Sequence, residues 1–371
     1  MNISVNSKKY IPDLINKLKD SQKKTPAGKV FVGFDGYIDK IQKAVKSRSF
    51  SEVTYYSTLV EFSERIAQAA GKSGQVELVT QEIKIGGNAP IMANALGYLG
   101  VRSVCLGNGG YPVKNPQYEN LHPGVSILSL GDPAETNALE FNDGKMILSE
   151  LSTFRKINWE YVRNTIGTVV LQDNLNACEI LALVGWCNPD HATDVWKGIL
   201  ENLMPASPPK KLLFFDLADP TKKSEKDLME VLGVINGFSS FGSVVLGINE
   251  NETLKLYDIL SQDGKRKTKD LGKIGRFLFS KLSIDGLLIH PVDRCILITE
   301  NGLINLEGNL VKEPKISTGG GDNLNAGFCT GRLLGLSMEE SLILGMATSG
   351  SYVKNGKSPD MDDIITYLQT W

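Results

Sequence analysis

Ser317-Thr318-Gly319-Gly320-Gly321-Asp322-Asn323 places three consecutive glycines directly before an aspartate. Beyond them, Ala326, Gly327, Phe328, Gly331, Leu333, Leu334 and Leu336 set small and apolar residues at helical spacing. The pattern predicts a glycine turn running into a packed helix whose first backbone N–H groups face an anion. Asp322, in the first turn of that helix, would stand beside the anion. Backbone donors can hold the charge that develops on a transferring phosphoryl group, and a carboxylate can take the proton of an attacking hydroxyl. The stretch therefore points to phosphoryl transfer to an alcohol. It also has a plainer meaning, since glycine turns precede many helices and Asp is an ordinary N-cap.

Outward from this turn, short apolar runs alternate with helical patterns. Strands are expected at 29–34, 101–107, 179–185, 211–217, 243–249, 285–290 and 295–299. Helices are expected at 57–70, 89–99, 159–166, 189–203, 223–234, 269–281, 322–335 and 338–353. That rhythm predicts an α/β fold with a doubly wound, mostly parallel sheet flanked by helices. Two regions break it: residues 40–85 are long and largely polar, and residues 126–150 alternate around Asn142-Asp143-Gly144, a hairpin signal. Insertions at about 40–56, 72–85 and 126–150 are expected to form a small β-sheet lid on a single domain spanning 1–371. The proline-rich stretch 205–210 is too short to separate domains.

A net charge of −2, from 40 basic and 42 acidic residues, gives no general attraction to nucleic acid or to an anionic membrane, so any anion site must be local. The five cysteines, Cys105, Cys178, Cys187, Cys295 and Cys329, form no CxxC pair and lie largely in apolar runs, which reads as buried free thiols. The N-terminus has no apolar signal region, and no stretch approaches about 18 uninterrupted apolar residues, so a cytoplasmic protein is expected.

Open α/β sheets place ligands beyond the carboxyl ends of their strands. At the end of the first expected strand, Gly33-Phe34-Asp35-Gly36-Tyr37-Ile38-Asp39 puts two carboxylates in one turn, where Asp35 and Asp39 can accept hydrogen bonds from sugar hydroxyls or serve as solvated turn residues and caps. Gly86-Gly87-Asn88 precedes a helix with Ala89, Ala93, Ala95 and Gly97; the glycines let backbone approach a ligand, or let the helix pack closely with Asn88 as N-cap. Asn249-Glu250-Asn251-Glu252 follows an apolar strand. Asn249 and Glu252 can organise a hydrated Mg²⁺ near phosphates, and the same spacing makes a capping box. Gly345 to Gly350, including Ala347, offers small side chains that leave a slot for a nucleotide base or simply permit tight packing. Phe34, Tyr37 and Trp186 are aromatic candidates for stacking on a ring.

In order and spacing, these motifs resemble those of the PfkB or ribokinase-like carbohydrate kinases over nearly the whole chain. The glycine pair with its helix ending in Leu99-Gly100, the Asn249-x-x-Glu252 element and the run Gly-Gly-Gly-Asp-Asn-Leu-Asn-Ala-Gly-Phe carry the likeness. The resemblance implies a ribokinase-like domain with a β lid, and Mg²⁺-dependent transfer of the terminal phosphate of ATP to a sugar or nucleoside hydroxyl. It implies Asp322 as base, an anion hole from Gly319, Gly320 and Gly321, and a sugar site lined by Asp39, Gly86, Gly87 and Asn88. Asn249 and Glu252 would arrange metal and phosphate, and Thr318, Ala347 and Gly350 are carried as nucleotide-site candidates.

Two positions depart from the pattern. Ile316 stands where the family usually carries an acidic or polar residue, and Ile91 where ribokinase-type members have asparagine. They motivate a second hypothesis, a ligand-binding sensor without turnover. The GFDGYID turn and the 57–70 helix are similar to the ADP-dependent sugar kinases, which makes ADP the alternative donor, while the C-terminal end resembles the ATP-using branch. Lid strands that pair between subunits would give a homodimer.

Overall fold

Parallel pairing of strands buried on both faces builds the frame. The computed structural model describes residues 2–5, 7–22, 28–208, 211–261, 268–316 and 318–371; Ser317, and Pro209 and Lys210 of the proline-rich stretch, lie outside them. The first half of the chain runs through β1 (Asn2–Val5), α1 (Ile11–Ser21), β2 (Lys29–Gly33), β3 (Tyr37–Arg48), β4 (Val53–Tyr55), α2 (Leu59–Ala67), β5 (Leu78–Gly86), α3 (Asn88–Tyr98), β6 (Arg102–Gly107), β7 (Val125–Ser129), β8 (Ala134–Phe141) and β9 (Gly144–Glu150). Next come α4 (Trp159–Ile166), α5 (Thr168–Asn176), β10 (Ile180–Val184), α6 (Ala192–Asn202), β11 (Lys211–Asp216), α7 (Glu225–Gly237), β12 (Gly242–Ile248), α8 (Glu250–Leu260) and α9 (Leu271–Phe279). The chain closes with β13 (Gly286–Ile289), β14 (Arg294–Thr299), β15 (Gly302–Glu307), α10 (Gly320–Leu333), α11 (Met338–Asn355) and α12 (Met361–Gln369).

Ten strands form one sheet in the order β1-β15-β14-β13-β12-β11-β10-β2-β6-β7. All pairs are parallel except β13 with β14 and β14 with β15. Alternate residues of a strand feed opposite layers: Leu181 and Leu183 pack with helices α4 to α9, while Ile180, Ala182 and Val184 pack with α1, α3 and α10 to α12. This is the doubly wound architecture that the strand rhythm predicts. All five cysteines are buried and free.

A smaller sheet has the order β4-β3-β8-β9, with β5 also paired to β3. Asn142 and Asp143 make the turn between β8 and β9, with Phe141 opposite Gly144, as the Asn-Asp-Gly signal indicates. Residues 126–129 differ from the expected lid segment: they belong to β7, which pairs in parallel with β6 at the edge of the large sheet. The alternation there marks an edge strand with one half-covered face, and the smaller sheet resumes only at Ala134. The helix expected from 322 begins at Gly320, so two of the three glycines lie inside it.

Candidate functional site

Gly319 caps α10 in the left-handed region, with φ +86°, where a Cβ would also come within 2.8 Å of the Tyr352 hydroxyl. Tyr352 Oη donates to the carbonyl of Thr318 over 3.1 Å and anchors the turn from behind; the Thr318 side chain is exposed. Gly320 and Gly321 leave the first helical amides uncovered by side chains. Asp322, the third residue of the helix, is buried, and its Oδ1 accepts from Asn88 Nδ2 at 2.8 Å. Burial raises its pKa well above the ordinary carboxylate value, the charge of Asp216 adds to the rise, and the Asn88 hydrogen bond opposes it.

The other half of this contact rests on α3. Its N-cap, Gly87 at φ +96°, has no side chain to satisfy the first helical amides. Asp35 does so from the end of β2: Oδ2 accepts from Asn88 N at 3.0 Å and Oδ1 from Ala89 N at 2.8 Å. Asp35 is fully buried, and desolvation pushes its pKa up to about 7 against the pull of those two amides. Its carboxylate is thus committed to positioning α3, which differs from the expected contact with sugar hydroxyls. Gly185, beyond β10 at φ +73°, lets this cluster close, since a Cβ there would sit 2.8 Å from Asp35 Oδ2 and 3.2 Å from Asn88 Oδ1. Asn88 is the first residue of α3 rather than its N-cap.

Asp39 lies on the smaller sheet, opposite Thr136 on one side and Lys84 on the other. Thr136 Oγ1 donates to its Oδ1 over 2.5 Å. Burial raises the Asp39 pKa, and Thr136, Lys84 and Lys145 pull it down. A Cβ at Gly86 would collide with the Asp39 carboxylate, so this glycine makes room for Asp39.

Asn249 and Glu252 form the capping box of α8: Asn249 Oδ1 accepts from Glu252 N at 2.9 Å, and the Glu252 carboxylate accepts from Asn249 N at 2.9 Å and from its Nδ2 at 2.5 Å. Glu252 is buried and its pKa is raised, first by desolvation and then by the charge of Asp216, with Asp219 and Asp322 adding to it. The capping reading of Asn-x-x-Glu is therefore the one formed, and the charges of Asp216, Asp219 and Asp322 act on the same buried carboxyl. Among the described residues there is no group of three or more His, Cys, Asp or Glu placed to hold a metal ion directly. The donor set fits a Mg²⁺ that keeps its waters and is reached through them.

Two residues not singled out in the sequence, Asp216 and His290, join the site. Asp216 ends β11, and its Oδ2 accepts from Asn325 Nδ2 of α10 at 2.6 Å. His290 follows β13, and its Nε2 is buried without a hydrogen-bond partner. The strand-end rule applied to Asp35 would also have found Asp216 within the run Lys211 to Leu217.

A cavity of about 400 Å³ opens on the other side of the α10 N-terminus. Asn249, His290, Arg294, Asn309, Gly320 and Gly321 line it, together with the apolar Val292, Val311, Met346 and Val353 and with Gly350. Gly350 faces this cavity. Ala347 does not: it is fully buried in the core, because helical periodicity turns 346, 349, 350 and 353 outward and 347 inward. Phe34, Tyr37 and Trp186 also belong to the core, Tyr37 edge-on to Phe154 and Trp186 held by a 2.8 Å bond from Nε1 to Thr193. No helix among the described residues is long and apolar enough to cross a membrane.

Comparison with known proteins gives the family and the fold. The sequence profile of prokaryotic ketohexokinase matches residues 13–371. A ketohexokinase from Haloferax volcanii is 27% identical over 345 residues, covering 92% of this chain and 90% of the relative. In fold, the chain is similar to Arabidopsis thaliana ribokinase complexed with ribose and ATP, at TM-score 0.62 and 15% identity, covering 92% of this chain and 98% of that one. It is equally similar to a putative ribokinase II of E. coli in complex with ATP and Mg²⁺, at TM-score 0.62 and 15% identity, covering 93% and 100%. With its profile match spanning all but the first dozen residues and its ribokinase fold, the chain belongs to the prokaryotic ketohexokinase family of carbohydrate kinases.

Proposed function

We propose that the protein transfers the terminal phosphate of ATP to a hydroxyl of a ketohexose. The observation that carries this reading is the position of Asp322. It stands in the first turn of α10, whose Gly320 and Gly321 line the 400 Å³ cavity, and it is bonded to Asn88, which lies two residues beyond the end of β5 in the smaller sheet. The cavity suits a nucleotide, its apolar end taking the base and its glycine end the phosphates. The sugar enters from the smaller sheet, which acts as a lid on a single domain, and Asp39, Asn88 and the backbone at Gly86 and Gly87 orient its hydroxyls.

A raised pKa makes Asp322 a stronger proton acceptor once ionised. It takes the proton of the sugar hydroxyl as that oxygen forms its bond to the terminal phosphorus and the bond to the nucleoside diphosphate breaks. The amides of Gly319, Gly320 and Gly321 stabilise charge on the transferring group, helped by the positive end of the helix dipole. Bound Mg²⁺ supplies neutralisation of phosphate charge, and Asn249, Glu252 and Asp216 would hold its waters. An ATP-consuming sugar kinase of this kind works in the cytoplasm.

Exposed apolar residues on the smaller sheet support a homodimer. Met146, Ile147 and Leu148 on the edge strand β9 are 44%, 49% and 53% exposed.

The test is a phosphoryl-transfer screen of ketohexoses, aldohexoses and nucleosides with Mg²⁺, using ATP and ADP separately as donors. Turnover of a ketohexose with ATP is expected. Turnover of nucleosides alone, or with ADP alone, would replace this reading, and nucleotide binding with no product from any acceptor would favour a sensor.

A further inference from the structure

We infer that His290 is a nucleotide-binding residue, its Nε2 donating a hydrogen bond to the phosphate chain next to the group being transferred. The inference rests on the nucleotide reading of the cavity, and deepens it by assigning a residue that none of the recognisable motifs contains.

His290 occupies the first position after β13 and is tied to the neighbouring strand by its backbone, N donating to the carbonyl of Ile248 at 3.0 Å. That register puts its side chain at the carboxyl edge of the sheet, among the residues that line the glycine end of the cavity. The ring lies against the α10 turn: its Cε1 would be 3.4 Å from a Cβ at Gly321. Nε2 is shut off from solvent and has no hydrogen-bond partner among the described residues. A buried polar nitrogen without a partner is unfavourable, and its neighbours show what would complete it. Beside it are helical amides that favour an anion, and Asn249 at the mouth of the same cavity. Burial holds the imidazole pKa below its ordinary value, against the opposing charge of Asp216. A phosphate oxygen lodged among these donors would accept from Nε2–H. Arg294 also lines the cavity, but its guanidinium is engaged by Asp293, and Val292, Val311 and Val353 offer apolar surface to the base.

The test compares adenosine and ADP as probes of the full-length protein, by calorimetric titration, for wild type and for His290→Leu, His290→Gln and His290→Asn. The Gln amide can reach the place of Nε2, whereas the Asn amide falls short of it. The expected result is a loss of ADP affinity of about tenfold or more in Leu and Asn, adenosine affinity within about twofold of wild type, and recovery of most ADP affinity in Gln. In turnover, KM for ATP rises while KM for the sugar stays. Equal losses for adenosine and ADP, or no loss for ADP, would overturn the inference and leave the nucleotide site standing. A wild-type protein that binds neither probe would sink both. If His290→Leu fails to fold, the contrast between Gln and Asn tests the same hydrogen bond.

Discussion

Asn88 Nδ2 donates to Asp322 Oδ1 across 2.8 Å, tying the first residue of α3 to the first turn of α10 across 234 positions of sequence. The bond lowers the pKa of a carboxyl that burial and the charge of Asp216 raise. Asp322 works as a base only when ionised, so kcat rises as pH rises through its pKa. In Asn88→Ala the opposing hydrogen bond is gone, and the acid limb of the kcat profile moves to higher pH. An unmoved limb would remove Asn88 from the environment of the base.

Asp322→Asn keeps the shape and an oxygen for Asn88 while removing the base. Loss of general-base catalysis predicts a fall in kcat of roughly 10²–10⁴-fold. The melting temperature should hold or increase, because a buried carboxyl with a raised pKa is replaced by a neutral amide. Retention of more than about a tenth of the activity would reject the proposed mechanism.

Asp35 gives a stability prediction. Its folded-state pKa is raised from 3.8 to about 7, so between those values the folded chain holds a proton that the unfolded chain releases. The stability contributed by this group is fully present below about pH 4 and is lost as pH rises toward about 7, by an amount on the order of 4 kcal/mol. Asp35→Asn abolishes that slope. Urea midpoints at pH 4.5 and 7.5 should show the difference, wild type minus variant, falling with pH; parallel curves would contradict the buried, protonated state.

The edge strand of the lid supplies a test of assembly. Ile147→Lys places a charge amid the exposed Met146 and Leu148, and should convert a dimer to monomer in sedimentation velocity. A wild type that sediments as a monomer would dispose of the homodimer.

What the sequence disclosed was what is local. The glycine run before Asp322, the Asn-Asp-Gly hairpin and the Asn249–Glu252 spacing each act within a few residues; the hairpin and the capping box have their expected backbone form, while the glycine turn is shorter than expected because α10 already begins at Gly320. The apolar strand runs likewise disclosed the parallel sheet, since burial on both faces leaves its mark on composition. The partnerships that build the site are of another kind. Asp35 reaches Asn88 and Ala89 across 53 and 54 positions, and Asp216 reaches Asn325 across 109. No periodicity encodes those pairs, so Asp35 resembled a sugar ligand and Asp216 resembled the end of a strand. His290 left no motif because what sets it apart is an unfilled nitrogen, visible only once the strands are laid side by side. Ala347 shows the opposite failure: the small residues of α11 stand out in the sequence, but which of them faces the cavity depends on how the helix is rotated.

Three of the four crossings that join the smaller sheet to the rest of the molecule are short. Phe34 to Gly36 join β2 to β3, Gly87 alone joins β5 to α3, and residues 130–133 join β7 to β8. Joints of that length leave no slack for the smaller sheet to slide, so they act as fixed pins. One of those pins is the loop that carries Asp35, and another is the glycine in front of Asn88. Any displacement of the smaller sheet is therefore felt at the two residues that hold α3 and the base.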